Sequence, residues 1–257
     1  MNYREQKNAI QTLLRKEITR FLRIWTQTLV PPVITITLYF VIFGHLIGQR
    51  IGPMAGVSYM EFVVPGLIMM SVITSAYNNV VSSFFGAKFQ RYVEEMLVSP
   101  MPNYLILWGF VLGGVARALL VGIIVTVVAL FFTHIQVANL WITVAIVLMT
   151  AVLFSLAGFI NAVYANNFDD ISIVPTFVLT PLIYLGGVFY STDLLPSFWA
   201  GVSQVNPVLY IVNAFRFGLL GISDVNLGVA FGMVTVFTVV AYLYSMHLLN
   251  SGKRLRQ

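Results

Sequence analysis

Residues 107–132 carry one charged side chain, Arg117, and residues 139–162 carry none. Runs this long and this apolar name their solvent. About 20 apolar residues cross the roughly 30 Å hydrocarbon core of a bilayer, and within it a helix satisfies every backbone amide. Measured with that ruler, the sequence predicts six transmembrane helices near 28–48, 62–83, 107–132, 139–162, 171–190 and 228–249. Composition agrees: 59% of residues are hydrophobic and 9% charged, against roughly 25% charged in soluble domains. The fold class is therefore an all-α membrane protein with three parts: a cytoplasmic segment 1–27, a six-helix domain 28–249, and a basic tail 250–257.

Six spans put both termini on one side, and the excess of Lys and Arg gives the orientation. The side of the termini holds Arg4, Lys7, Arg15, Lys16, Arg20, Arg23, Lys88, Arg91, Lys253, Arg254 and Arg256. The opposite side holds Arg50 and Arg216, and Arg117 within a span completes the fourteen. Both termini are assigned to the cytoplasm. The net charge of +5 thus follows membrane topology and anionic lipid, and no nucleic acid partner is expected. Cysteine is absent, which excludes disulfides and thiolate metal sites. The first apolar run follows a polar and basic stretch and reads as an uncleaved anchor rather than a secretory leader.

Within that stretch, Ile10, Leu13, Leu14, Ile18, Phe21, Leu22 and Trp25 fall on one helical arc, with Lys16, Arg20 and Arg23 opposite. The pattern predicts a helix lying flat on the inner leaflet, with Glu17 interrupting its apolar arc. An ordinary basic flank before a span is the alternative. Residues 191–227 are apolar but broken at Asn206-Pro207 into halves too short to span. They predict two half-helices that enter the outer leaflet and return; one outer amphipathic helix broken by Pro207 is the competing reading.

Arg117 is the one charge well inside a span. It either snorkels to the cytoplasmic interface or serves a subunit contact or the transport path. Gly114, Ala118 and Gly122 around it recur every fourth residue and let another helix approach closely. Asp169 and Asp170 immediately precede the fifth span and read as a helix start rather than paired catalytic carboxylates. His45, His134 and His247 are too far apart along the topology to share a metal ion. No G-x-S-x-G or H-E-x-x-H pattern occurs, and neither does G-x-x-x-x-G-K-[ST]. The chain has no such phosphate-binding loop, so ATP-driven work requires a second subunit.

Residues 84–103 form the one long cytoplasmic loop between spans. Lys88, Arg91, Glu94 and Glu95 are spaced to share a charged helical face that ends before Pro100 and Pro102. That face is either a docking surface or simply solvated.

These features together resemble the permease subunits of type-2 ABC exporters. The match is most specific at residues 181–216, PLIYLGGVFYSTDLLPSFWAGVSQVNPVLYIVNAFR, and is supported by EEMLVSPMP at 94–102, GGVAR at 113–117 and NNFDD at 166–170. The resemblance implies a homodimer bound to two copies of an ATPase subunit, docked through the N-terminal helix and loop 84–103. It implies no cofactor on this chain, with ATP and Mg held by the partner. It places Pro196, Trp199, Asn206, Pro207 and Arg216 at the outer exit, in a bacterial inner membrane, for a lipid, glycan-linked or drug-like substrate. A passive channel or an intramembrane enzyme are the alternatives from other classes.

Overall fold

A computed structural model describes residues 1–252 and Leu255; the side chains of His45, Leu46, Ile47, Gln49 and Asp193 are outside that description, as are Lys253, Arg254 and Arg256 of the basic tail. Helices dominate the described residues, and the only β feature among them is an isolated bridge between Met54 and Val57.

Helix α1 (Tyr3–Arg23) opens with a capping box, Asn2 with Glu5. It leads through α2 (Trp25–Thr28) into α3 (Val30–Tyr39), where Pro31 and Pro32 occupy the first turn and lack only amides that a helix start leaves unbonded. A π-helical stretch, Phe40–Ile47, and α4 (Gly48–Ile51) continue it. Helix α5 (Tyr59–Phe89) starts at a second capping box: Ser58 N donates to Glu61 Oε2 at 2.9 Å and Glu61 N donates to Ser58 Oγ at 3.3 Å. A short helix α6 (Tyr92–Val98) separates it from the long α7 (Asn103–Ala129) and α8 (Leu140–Tyr164). Then come α9 (Asp170–Val174), a π-helical turn Pro175–Leu179, α10 (Thr180–Tyr184), α11 (Ser197–Gln204), α12 (Pro207–Leu220) and α13 (Leu227–Ser251).

Among the described residues, five helices are long and apolar enough to cross a membrane: Trp25–Gly44, Tyr59–Phe89, Asn103–Ala129, Leu140–Tyr164 and Leu227–Ser251. They match five of the six predicted spans. The fifth prediction, 171–190, is corrected: its helix runs only from Asp170 to Tyr184, about 22 Å at 1.5 Å per residue. Helix geometry ends at Leu185, and Gly187 adopts the left-handed φ of +70° that L side chains rarely adopt.

The core is the α5–α7–α8 triplet. Phe62, Leu67, Val72, Ala76, Val80 and Phe84 run down α5 with essentially no exposure. The spacing of Gly114, Ala118 and Gly122 works as the sequence suggests. A Cβ on Gly114 would come within 2.3 Å of Ser155 Oγ and 2.6 Å of Val80 Cγ2, and one on Gly122 within 3.0 Å of Val72. Only a glycine face brings these backbones so close. By contrast α3 and α13 leave most of their apolar surface uncovered, as helices facing lipid or a second subunit do.

Candidate functional site

The N-terminal helix is docked onto the core, over the first half of α7. Its buried face is Leu13, Glu17 and Phe21, while Leu22 and Trp25 of the predicted apolar arc are exposed. Contacts advance along α1 and α7 together. Tyr104 Oη donates to Gln6 Oε1, Leu13 lies where a Gly109 side chain would be, Glu17 lies at Gly113, and Arg117 Nη2 donates to Thr28 O at 3.2 Å.

Glu17, the interruption in the apolar arc, is the centre of this joint. It is 1% exposed; its Oε1 accepts from Ser83 Oγ at 2.7 Å and its Oε2 from Arg20 Nε at 3.3 Å. Arg20 Nη2 also donates to Asn79 O and Asn79 Oδ1, at 3.0 and 2.9 Å. A buried carboxylate is tolerable when each oxygen has a donor and a cation stands beside it, and both conditions are met. Arg117 holds the α1–α3 junction by its bond to Thr28.

The segment 84–103 is only partly a loop. Residues 84–89 extend α5, because Phe84 packs on Phe110 and Phe159 with ring centroids 5.1 and 4.4 Å apart. The four charges therefore do not share one helical face. Lys88 sits on α5, 3% exposed, and donates to Val163 O at 2.7 Å and Ala165 O at 2.8 Å, closing the carbonyl end of α8. Arg91, at φ +63°, turns the chain into α6. Val93 pins α6 to the core. Tyr92, Glu95, Val98 and Pro100 face outward, with Val98 84% exposed, and Glu94 is half-buried.

At the other end, α11 and α12 are the two short helices anticipated between 191 and 227. Pro196 precedes α11, and Trp199 is exposed on it. Asn206 caps α12: its Oδ1 accepts from Val208 N at 2.9 Å and its Nδ2 donates to Leu182 O at 2.6 Å, while Pro207 takes the first helical position. Helix α12 covers only part of α8. Gly218 abuts Thr143 near the start of α8, and Pro207 borders a recess of about 300 Å³ with Leu153, Ala157, Phe237 and Ala241.

Arg216 is not at a surface. It is 1% exposed, donates to Gly187 O at 2.7 Å, to Phe62 O at 3.4 Å and to Asn213 Oδ1 at 3.4 Å, and stands 3.8 Å from the Phe62 ring centroid. Its guanidinium joins α12, α5 and the turn after α10. Asp224 extends this network, accepting from Ser191 Oγ and Thr192 N and donating its own amide to Asn213 Oδ1.

The start of α9 uses Asn167 and Asp170: Asn166 N donates to Asp170 Oδ2 and Asp170 N donates to Asn167 Oδ1, each at 2.8 Å. Asp169 makes no side-chain cap bond. Among the described residues no group of three His, Asp or Glu is placed to hold a metal ion.

An apolar bundle docked to a basic amphipathic helix, with an exposed elbow at one end and paired short helices at the other, describes a multi-pass membrane protein. Residues 8–220 match the ABC-2 type transporter family, and the chain belongs to it. It is 62% identical over 249 residues to the inner membrane transport permease YadH of Escherichia coli K12, covering 96% of this chain and 97% of that one. It is 26% identical over 214 residues, 83% of each chain, to nodulation protein J of Rhizobium leguminosarum bv. viciae. A 24% identity over 214 residues, 83% of this chain and 82% of the other, links it to nodulation protein J of Rhizobium meliloti 1021. The chain is a multi-pass permease of the bacterial inner membrane and a membrane subunit of an ABC exporter.

Proposed function

We propose that the chain forms the substrate pathway of an ATP-driven exporter, working as a homodimer with two copies of a separate ATPase subunit. ATP and Mg bind that partner, and this chain carries no cofactor. The observation that carries the reading is the elbow after α5. A 31-residue helix ends in a left-handed turn at Arg91, and the seven-residue α6 presents Tyr92, Glu95 and Val98 outward, with Pro100 exposed just beyond it. Exposed aliphatic and aromatic side chains rimmed by carboxylates suit a protein partner better than water. Glu94, Glu95, Arg91 and Pro100 stay in the coupling set, whereas Lys88, tied to α8, acts by holding the elbow in place.

In this reading the short helix Asp170–Tyr184 completes a sixth span together with the turn that follows it, and both termini are cytoplasmic. Helices α11 and α12 form the re-entrant pair, with Pro196, Trp199, Asn206 and Pro207 at the outer exit and Arg216 bolting the pair to α5. The substrate is a lipid, glycan-linked or drug-like molecule, in keeping with a chain that is 59% hydrophobic and 9% charged. The test is purification of the tagged chain from native membranes in mild detergent. A second polypeptide of ATPase size with vanadate-sensitive hydrolysis is expected. A single band without hydrolysis sinks the reading.

A further inference from the structure

One flank of α1 forms a shallow groove lined by Thr12, Arg15, Lys16, Thr19, Arg20 and Arg23, with Ile24 at its end. Arg15, Lys16 and Arg23 are exposed. Among the described residues, neither Arg15 nor Arg23 has a hydrogen-bond or ion-pair partner, and Lys16 lies only over the Phe110 ring, 5.9 Å from its centroid. Arg117 adds a further cation within electrostatic reach of Arg20, its Nε buried without a partner. The nearby acid, Glu17, is already shared by Arg20 and Ser83. Positive charge is concentrated here in excess of what Glu17, paired with Arg20, neutralises.

The depth of the groove follows from helix lengths. About twenty residues at 1.5 Å each cross a core of roughly 30 Å. Counted from Tyr59, the first residue of α5, that length ends near Asn79; counted back from Ala129, the last of α7, it ends near Phe110. Those are the residues that Arg20 and Lys16 touch. Exposed Ile24 and Trp25 follow directly, at the foot of the first span. Cations at the hydrocarbon edge, beside an interfacial Trp, meet phosphodiester headgroups before anything else.

We propose that this groove is a binding site for the headgroup of an anionic phospholipid of the cytoplasmic leaflet, gripped by Arg15, Lys16, Thr19 and Arg23, with an acyl chain along Ile24 and Trp25. The site does not depend on the exporter reading; it requires only the membrane and the docked helix.

The full chain is reconstituted with phosphatidylglycerol or phosphatidylcholine, and retained lipid is measured by native mass spectrometry. Each basic residue near an anionic surface is worth roughly a factor of five in affinity, so Arg15→Gln/Lys16→Gln/Arg23→Gln weakens phosphatidylglycerol retention roughly a hundredfold. Arg4→Gln/Lys7→Gln, on the same helix outside the groove, retains it, as does Arg15→Lys/Arg23→Lys. Should the triple variant not fold, Arg15→Gln/Arg23→Gln carries the test, with a loss of roughly twenty-five-fold. Equal retention of phosphatidylcholine, undiminished retention by the Gln variants, or displacement of the lipid by millimolar inorganic phosphate overturns the proposal, the last by showing a plain anion site.

Discussion

Ser83 Oγ donates a hydrogen bond to Glu17 Oε1 at 2.7 Å, joining α1 to α5 across 66 positions of sequence. The bond exists because Gly113 leaves room for it: a Cβ there would stand 2.5 Å from Glu17 Cβ. A helix that approaches a partner over a glycine and seals the contact with a satisfied carboxylate moves with that partner. Displacement of α1 by anything bound to it is then felt directly by the second span.

Gly113→Leu should therefore push α1 off the bundle. Overpacking of this kind costs about 1–3 kcal/mol. Detergent-purified protein should melt earlier, and tryptic cleavage at Arg15, Lys16 and Arg20 should speed up several-fold relative to wild type. Unchanged cleavage would mean that α1 does not rest on α7 in solution.

The Arg216 guanidinium makes a different kind of joint. Arg216→Met keeps much of the volume but strands the Gly187 and Phe62 carbonyls, each buried polar group left unpaired costing about 1–3 kcal/mol. A large drop in melting temperature is expected, with Arg216→Lys intermediate because an ammonium replaces only part of the planar fork. If Arg216→Met melts like wild type and only transport is lost, the side chain works in the substrate path and not as a structural bolt.

Apolar runs set by the bilayer were legible because the solvent forces them: five spans fall where hydropathy places them. The fifth predicted span overran because apolarity continues through 185–190 while the backbone turns at Gly187, and hydropathy does not see φ. Glu17 and Lys88 looked like a blemish and a surface charge since their partners, Ser83 and Val163, lie 66 and 75 positions away. A charge on an otherwise apolar arc, in a chain with so few charges, was the available signal that such a partner exists. The break at Asn206-Pro207 was legible because cap and proline are local chemistry.

Lys88→Met tests whether the elbow depends on α8. Removing the ammonium leaves the Val163 and Ala165 carbonyls without their donor, an expected loss of about 1–3 kcal/mol. Amide exchange in 163–168 and at the end of α5 should accelerate together, since one side chain closes both. Acceleration in one of these segments only would show that Lys88 does not couple them.

The outward face of α6 is open to a charge-reversal test. Glu94→Lys/Glu95→Lys should weaken association with the ATPase subunit, because charges at the rim of an interface steer approach and like charges placed opposite one another oppose it. Loss should be concentrated in the association rate and should grow as salt is lowered, since the Debye length is about 10 Å at 0.1 M. Val98→Asp removes apolar contact instead, and its effect should be in dissociation and insensitive to salt. Membrane insertion should stay at the wild-type level for both, and the melting temperature for Val98→Asp, as Val98 is exposed and Val93, which pins α6, is untouched. An ATPase affinity unchanged in both variants would remove α6 from the docking surface and shift the search to α1.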